Sequence, residues 1–358
     1  MSGPAFTVVV PTVGRPGLER LLRAVSADPG HAPARVLAVD DRPGPARPLG
    51  VEDVPGVAVL RSGGRGPATA RDVGRLAART EWVVFLDDDV EVPPDWPRLL
   101  AADLASAEPW TAGVQGRLRV PRPEGGRRPT DAERAVLGLE GARWITADMA
   151  YRRSVLAEAG GFDRRFPRAY REDTDVALRI LGAGYGIGWG ERTAVHPLRG
   201  RGGVRDSVRA QAGNADDALM RRLHGPYWRS AAMEPPALVG THAAVTALLA
   251  GAVAASASPG ARGTTAAALW GAWLGATARF AWRRIAPGPR TPREVAAMAL
   301  SSAAVPPAAC LHRLRGELRH RRARPLPTGP RVRAVLFDRD GTLVHDVPDL
   351  AEPRAARP

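Results

Sequence analysis

Asp87, Asp88 and Asp89 stand side by side at the end of an unbroken apolar run, residues 82–86, in the stretch WVVFLDDDVEVPPDW. Adjacent carboxylates repel one another, so the cluster is costly unless a cation neutralises it or each carboxylate has its own donor. Mg2+ or Mn2+ would meet that need, because both prefer oxygen ligands and use only one or two carboxylates, with phosphate oxygens filling further positions. A solvated acidic turn at a strand end is the other reading of the same residues.

The elements that must carry this cluster can be read from hydrophobic pattern. Residues 6–10, 35–39, 57–60 and 82–86 are short, apolar and rich in β-branched side chains, as buried strands are. After the first comes the loop PTVGRPG and an amphipathic stretch, residues 18–27, with Leu18, Leu21, Leu22 and Val25 on one face. After the third, a glycine-rich turn leads into a helix starting near Pro67. Strands alternating with helices at this spacing imply a doubly wound, mainly parallel α/β sheet. In such sheets ligands bind outside the carboxyl ends of the strands. Pro11 with Thr12, Asp40 with Asp41, the stretch 61–71 and Asp87 to Asp89 should therefore face one crevice.

Composition narrows the partners. The 358 residues are 44% hydrophobic, ample for a core, and allow two domains or one with appendages. The net charge of +14 comes entirely from arginine, since lysine is absent, and favours anionic partners such as nucleotide diphosphates or acidic lipid head groups. Nucleic acid is not expected, for there is no recognition motif and only 5% of residues are aromatic. Cys310 stands alone, which excludes an internal disulfide and a cysteine-based zinc site. Residues 1–10 hold no basic-then-apolar leader, so the catalytic part is expected in the cytoplasm.

Read together, VVVPTVGRPGLERLL, the VDD ending at Asp41, GPATARDVG, FLDDDVEVPPDW and GGFDRRFPRAYREDTDVALRIL resemble family 2 glycosyltransferases, in that family's order and over about the first 225 residues. The resemblance implies the GT-A fold, a Rossmann-like sheet that binds nucleotide-diphospho-sugars. It implies that Asp41 hydrogen-bonds the nucleobase with Pro11 and Val13 lining that end, that Arg71 lies near the nucleotide, and that Asp88 contacts ribose or sugar. Asp89, with Asp87, would hold Mg2+ or Mn2+ on the diphosphate, while Arg199 or Arg201 could add contacts to phosphate. His196 either completes that metal site or is structural. Asp173 is the candidate general base and Glu172 its alternative, with Asp175 flanking the helix of residues 176–181; the bland reading of REDTD is a helix N-terminus with favourable acidic residues. Val13-Gly14, Asp72 and Asp148 depart from the family's Tyr-Asn, Asn and Asn, and the first of these, at the base-stacking end, leaves the nucleotide unnamed.

Beyond residue 228 the composition turns Ala-rich. Residues 237–256 lack Asp, Glu and Arg and are long enough to span a bilayer, and residues 264–282 form a second run. Flanking arginines fit a hairpin dipping from the cytoplasm and back; a soluble helix pair fits the same residues. Residues 295–311, interrupted by Pro306 and Pro307, suggest an interfacial segment, and the arginines at 313, 315, 319, 321, 322 and 324 suit an anionic surface. Finally, DRDGTLVHDVP resembles the first motif of haloacid-dehalogenase-type phosphatases, with Asp338 and Asp340 in the nucleophile and acid/base positions. A complete phosphatase domain with its lysine cannot follow in so few residues, so this reads as an inactive fragment.

The expected organisation is therefore a GT-A domain over residues 1–225, an Ala-rich helical segment with a basic tail over 226–325, and a phosphatase-like start over 326–358. The expected function is inverting sugar transfer from a nucleotide-diphosphate donor to a saccharide or lipid-linked acceptor in envelope or polysaccharide synthesis, at the cytoplasmic membrane. The rivals are a sugar-phosphate phosphatase fragment and a non-catalytic nucleotide-sugar-binding adaptor.

Overall fold

The computed structural model describes residues 3–45, 47–198, 202–258 and 263–327. Arg199, Arg201, Asp338 and Asp340 lie outside the described residues.

The chain opens with β1 (Phe6–Thr12), α1 (Leu18–Val25), β2 (Arg35–Asp40), β3 (Val57–Arg61), α2 (Pro67–Ala77) and β4 (Trp82–Leu86). It continues through α3 (Trp96–Ala105), β5 (Thr111–Arg119), α4 (Asp131–Leu137), β6 (Asp148–Arg152), α5 (Arg153–Glu158), α6 (Glu172–Gly182) and β7 (Gly186–Val195). One sheet holds all these strands in the order β3-β2-β1-β4-β6-β5-β7. β6 lies antiparallel between β4 and β5, and the other pairings are parallel. Both faces of β1, β2 and β4 are covered, which explains their continuous apolar runs, whereas β3, at the sheet edge, is only partly buried. Val9, Leu37, Val83 and Phe85 pack to one side with Val176 and Ile180 of α6, whereas Val8, Val10, Val36 and Val84 pack to the other with Leu22 of α1 and Leu100 of α3. Each such side chain contributes about 1.5–3 kcal/mol on burial.

The strand order reverses at β1, with β2 on one side and β4 on the other. A reversal of this kind opens a crevice between the loops that leave the two strands, and here those loops are residues 13–17 and 87–95.

Asp148 proves structural. Its carboxylate is fully buried and accepts from Arg192 Nε and Trp96 Nε1, both at 2.8 Å. Arg192, also fully buried, donates to Asp103 at 3.0 Å and to the Val114 carbonyl at 2.8 Å, so one guanidinium ties β7 to α3, β5 and β6.

The helical remainder is α7 (Val204–Ala210), α8 (Gly213–His224), α9 (Trp228–Ala231), α10 (Val239–Ala257), α11 (Gly263–Ile285) and α12 (Pro292–His320). Gln211 and Ala212 turn the chain between α7 and α8. The interruption expected at Pro306 and Pro307 does not occur: both lie inside α12, where buried Val305, Pro306 and Ala309 pack the helix into its neighbours. α12 packs on α7 and α8 as well as on α10 and α11. Arg284, at the end of α11, donates to Asp131 in α4 at 2.8 Å and to Ser301 in α12 at 2.9 Å. The helices therefore clasp the sheet domain through α12.

By length and composition, α10 and α12 are apolar enough to cross a membrane. α11, expected as the returning span, is not among them; its glycines, threonines and terminal arginines keep its mean hydropathy low.

Breaking the buried triad while leaving its acids in place should be severe. Arg192→Ala is expected to cost about 3–5 kcal/mol, because Asp103 and Asp148 would remain as uncompensated buried charges. Chemical denaturation checks this, and adding Asp103→Asn with Asp148→Asn should recover part of the loss.

Candidate active site

A cavity of about 740 Å³ opens at the carboxyl ends of β1, β2 and β4, and Pro11, Val13, Asp41, Arg71, Asp87, Asp88, Asp89, Glu172, Asp173 and His196 all line it. Residues far apart in sequence thus share one hollow. What each side chain does there differs from simple convergence.

The three aspartates point three ways. Asp87 accepts from Arg71 Nη2 at 2.8 Å. Asp88 is buried and accepts from Thr12 Oγ1 at 2.7 Å and the Val13 amide at 3.3 Å, which locks the end of β4 to the loop leaving β1. Asp89 faces Arg15, whose Nη1 sits 2.7 Å from Asp89 Oδ2 and 2.7 Å from Asp88 Oδ1. His196 reaches this corner because Glu91 and Val195 exchange backbone hydrogen bonds at 2.8 Å, and its Nε2 lies 3.7 Å from Asp89 Oδ1.

Asp41 organises the glycine-rich loop. Its Oδ1 accepts from Ser62 Oγ at 2.6 Å and the Arg65 amide at 3.0 Å, and its Oδ2 from the Gly66 amide at 3.0 Å. Gly66 adopts φ +94°, and a Cβ there would sit 2.5 Å from the Pro167 carbonyl oxygen, so only glycine lets the two walls of the cavity meet.

The opposite wall is the start of α6. Arg171 precedes the helix in the left-handed region, at φ 78°, a strained state for arginine that its partners impose. It donates to Asp217 at 2.9 Å, pairs with Glu234 at 2.9 Å and stacks between Tyr170 and Trp228. That strain aims Glu172 inward, where Oε1 accepts from Arg71 Nη1 at 2.6 Å. Burial, reinforced by the neighbouring Asp173 charge, pushes the Glu172 carboxyl up to about 8. Burial also raises Asp173, against the pull of Arg71. Burial thus makes both acids more basic than free carboxylates, which favours either one as a general base in its ionised form. Asp175 belongs elsewhere: it is buried against Arg179 and accepts from His224 Nε2 at 2.7 Å, pinning α6 to α8. Arg171, which precedes α6, caps it with no side-chain hydrogen bond, while Asp173 Oδ1 accepts from the Thr174 amide at 2.7 Å.

Among the described residues, no group of three or more His, Cys, Asp or Glu side chains is arranged to hold an ion. The donor set nevertheless fits a hard cation that takes most of its ligands from phosphate and water, because a positively charged nitrogen already rests between Asp88 and Asp89. Asp89 and His196 are the side chains able to supply its protein ligands.

The sequence places Thr12 at the crevice without a role, and Arg15 goes unmarked. The available signal was a basic residue just past the end of β1, inside PTVGRPG, and a hydroxyl at the strand terminus.

The raised Glu172 carboxyl has a pH signature. The folded protein keeps this proton where the unfolded chain has lost it, so the stabilisation is full below about 4.5 and fades as pH rises toward 8. Relative to the native protein, Glu172→Gln should therefore gain melting temperature between pH 5 and pH 8. Parallel melting curves for the two proteins across that range would refute the shift.

Residues 7–158 match the model of Glycosyl transferase family 2. No curated protein matches the sequence. Among solved structures, a mannosyltransferase from Pyrobaculum calidifontis in complex with GDP-Man and Mn2+ is 22% identical, with a TM-score of 0.53 and 87% of each chain covered. Glucosyl-3-phosphoglycerate synthase from Mycobacterium tuberculosis, in complex with phosphoglyceric acid, is 16% identical with a TM-score of 0.42, over 66% of this chain and 82% of that one. Mannosyl-3-phosphoglycerate synthase from Rubrobacter xylanophilus is 17% identical with a TM-score of 0.41, over 62% and 74%. The likeness to the first is one of fold: a mixed sheet of the GT-A kind followed by helices. The family match thus spans β1 through α5, the stretch that carries Asp41 and the Asp87 to Asp89 cluster.

Proposed function

We propose that the protein is an inverting glycosyltransferase that moves a sugar from a nucleotide-diphosphate donor to a hydroxyl of a saccharide or lipid-linked acceptor. The observation that carries this reading is the single cavity shared by Asp41 with its glycine-rich loop, the Asp87 to Asp89 cluster, and the Glu172 and Asp173 pair. The loop side, with Pro11 and Val13, offers apolar surface for a nucleoside. The Arg15 and Arg71 guanidiniums lie between that side and α6, where a diphosphate would pass.

In this mechanism the Asp173 carboxylate takes the proton from the acceptor hydroxyl, and the freed oxygen attacks the anomeric carbon on the face opposite the diphosphate. The bond from that carbon to the phosphate oxygen breaks, and the electron pair leaves with the nucleotide diphosphate. Arg71 sits near both charges, holding Asp87 and Glu172 while its own charge offsets the acids around it. Bound Mg2+ or Mn2+, held by Asp89 and His196, would supply further positive charge to the departing diphosphate. Glu172, protonated near neutral pH, lowers the repulsion that would otherwise push Asp173 further from its ionised state.

Attachment to the cytoplasmic face of a membrane belongs to the same proposal. It draws on α10 and α12, which are long and apolar enough to cross one, and it suits an acceptor used in envelope or polysaccharide synthesis.

Thermal melting with UDP-, GDP-, dTDP- and ADP-sugars, with and without Mn2+, tests donor and metal together. One nucleotide at a hundredfold excess over its dissociation constant should add about 2.7 kcal/mol of stability. Asp173→Asn should keep that shift yet lower kcat by about 10²- to 10⁴-fold, the usual contribution of a general base. A native protein that binds donor and never consumes it would instead be a non-catalytic adaptor.

A further inference from the structure

The cation between Asp88 and Asp89 is part of the chain itself. Arg15 Nη1 stands 2.7 Å from a carboxylate oxygen of each, which is the position of a counter-ion shared by two acids. Both partners make further contacts. Asp88 is also satisfied by Thr12 and the Val13 amide through Oδ2, and only its Oδ1 meets Arg15. Asp89 gives Oδ2 to Arg15 and turns Oδ1 toward His196. Arg15 is carried on a loop that turns at Gly14, with φ +79°, and its side chain is 39% exposed, unlike Arg71 at 3%. One guanidinium is thus built into the wall, and the other is hinged at the mouth.

We propose that Arg15 is a displaceable internal cation, which holds Asp89 until a divalent metal arrives together with a diphosphate. The inference rests on the donor and metal reading above and goes beyond it by making the two ligands interdependent. A metal binding alone must remove the Arg15 contact from Asp89 and strand a guanidinium beside it, so like charges oppose its entry. A diphosphate gives the released guanidinium new oxygen acceptors in the same cavity, and charge-assisted bonds to phosphate replace those to carboxylate. Metal and nucleotide consequently bind with positive coupling, and the open enzyme resists empty metallation. Arg15 acts here as a positioning residue.

Calorimetric titration of Mn2+ alone, and of Mn2+ in saturating UDP or GDP, separates the possibilities in the native protein, Arg15→Gln and Arg15→Lys. Circular dichroism and melting in EDTA verify that each variant is folded; the exposed loop position makes this the expected result. In Arg15→Gln the affinity for Mn2+ alone should rise, while the gain on adding nucleotide, expected in the native protein at about 5- to 150-fold as for other coupled sites, should shrink toward none. Arg15→Lys, which keeps the charge, should fall between. Equal Mn2+ affinity in native protein and Arg15→Gln, with undiminished coupling to nucleotide, would overturn the displacement. If no protein of the set takes up Mn2+ under either condition, the metal reading itself fails and this inference falls with it.

Discussion

Charge neutralisation among closely spaced carboxylates is the constraint on which the site depends. Asp87, Asp88, Asp89, Glu172 and Asp173 crowd one cavity, and Arg15 and Arg71 answer them with two different geometries. Arg71 is immobilised, with one nitrogen on Asp87 and another on Glu172, so it welds the end of β4 to the start of α6 across the crevice. What charge remains is reduced by protonation of Glu172, whose carboxyl burial lifts to about 8, while burial raises Asp173 as well. Acids that would repel in water are thereby kept poised to lose or take a proton.

This arrangement needs a rigid surround. The Arg192 triad fastens β5, β6, β7 and α3 beneath the cavity, and the Arg171 cluster clamps α6 to α8 and to the segment after it. α12 then braces α7 and α8 from outside. The helical region is therefore coupled to the catalytic wall through packing, and the same helices carry the apolar surface that bears on membrane attachment.

Several features could be read before any coordinates. The four N-terminal strands follow from β-branched runs whose both faces are apolar, and the crevice follows from polar residues collecting at their ends. β5 and β6 were not legible in the same way. TAGVQGRLR interleaves glycine, glutamine and arginine, and DMAYR begins with a charged residue, because buried partners such as Arg192 satisfy what the local pattern advertises as polar. The prolines at 306 and 307 misled for the opposite reason: local chemistry says break, and tertiary packing holds α12 through them.

The sequence by itself determined which residues meet, since strand ends in a doubly wound sheet must face one side, and it determined that acids there would need cations. Only the folded chain decided how those acids are used. Asp41 spends its oxygens on the loop at Ser62 to Gly66, Asp88 on β1, Asp175 on α8, and Asp89 on Arg15. Spacing along a chain fixes where a side chain starts; the direction it takes depends on donors contributed from segments many residues away, which no local pattern records.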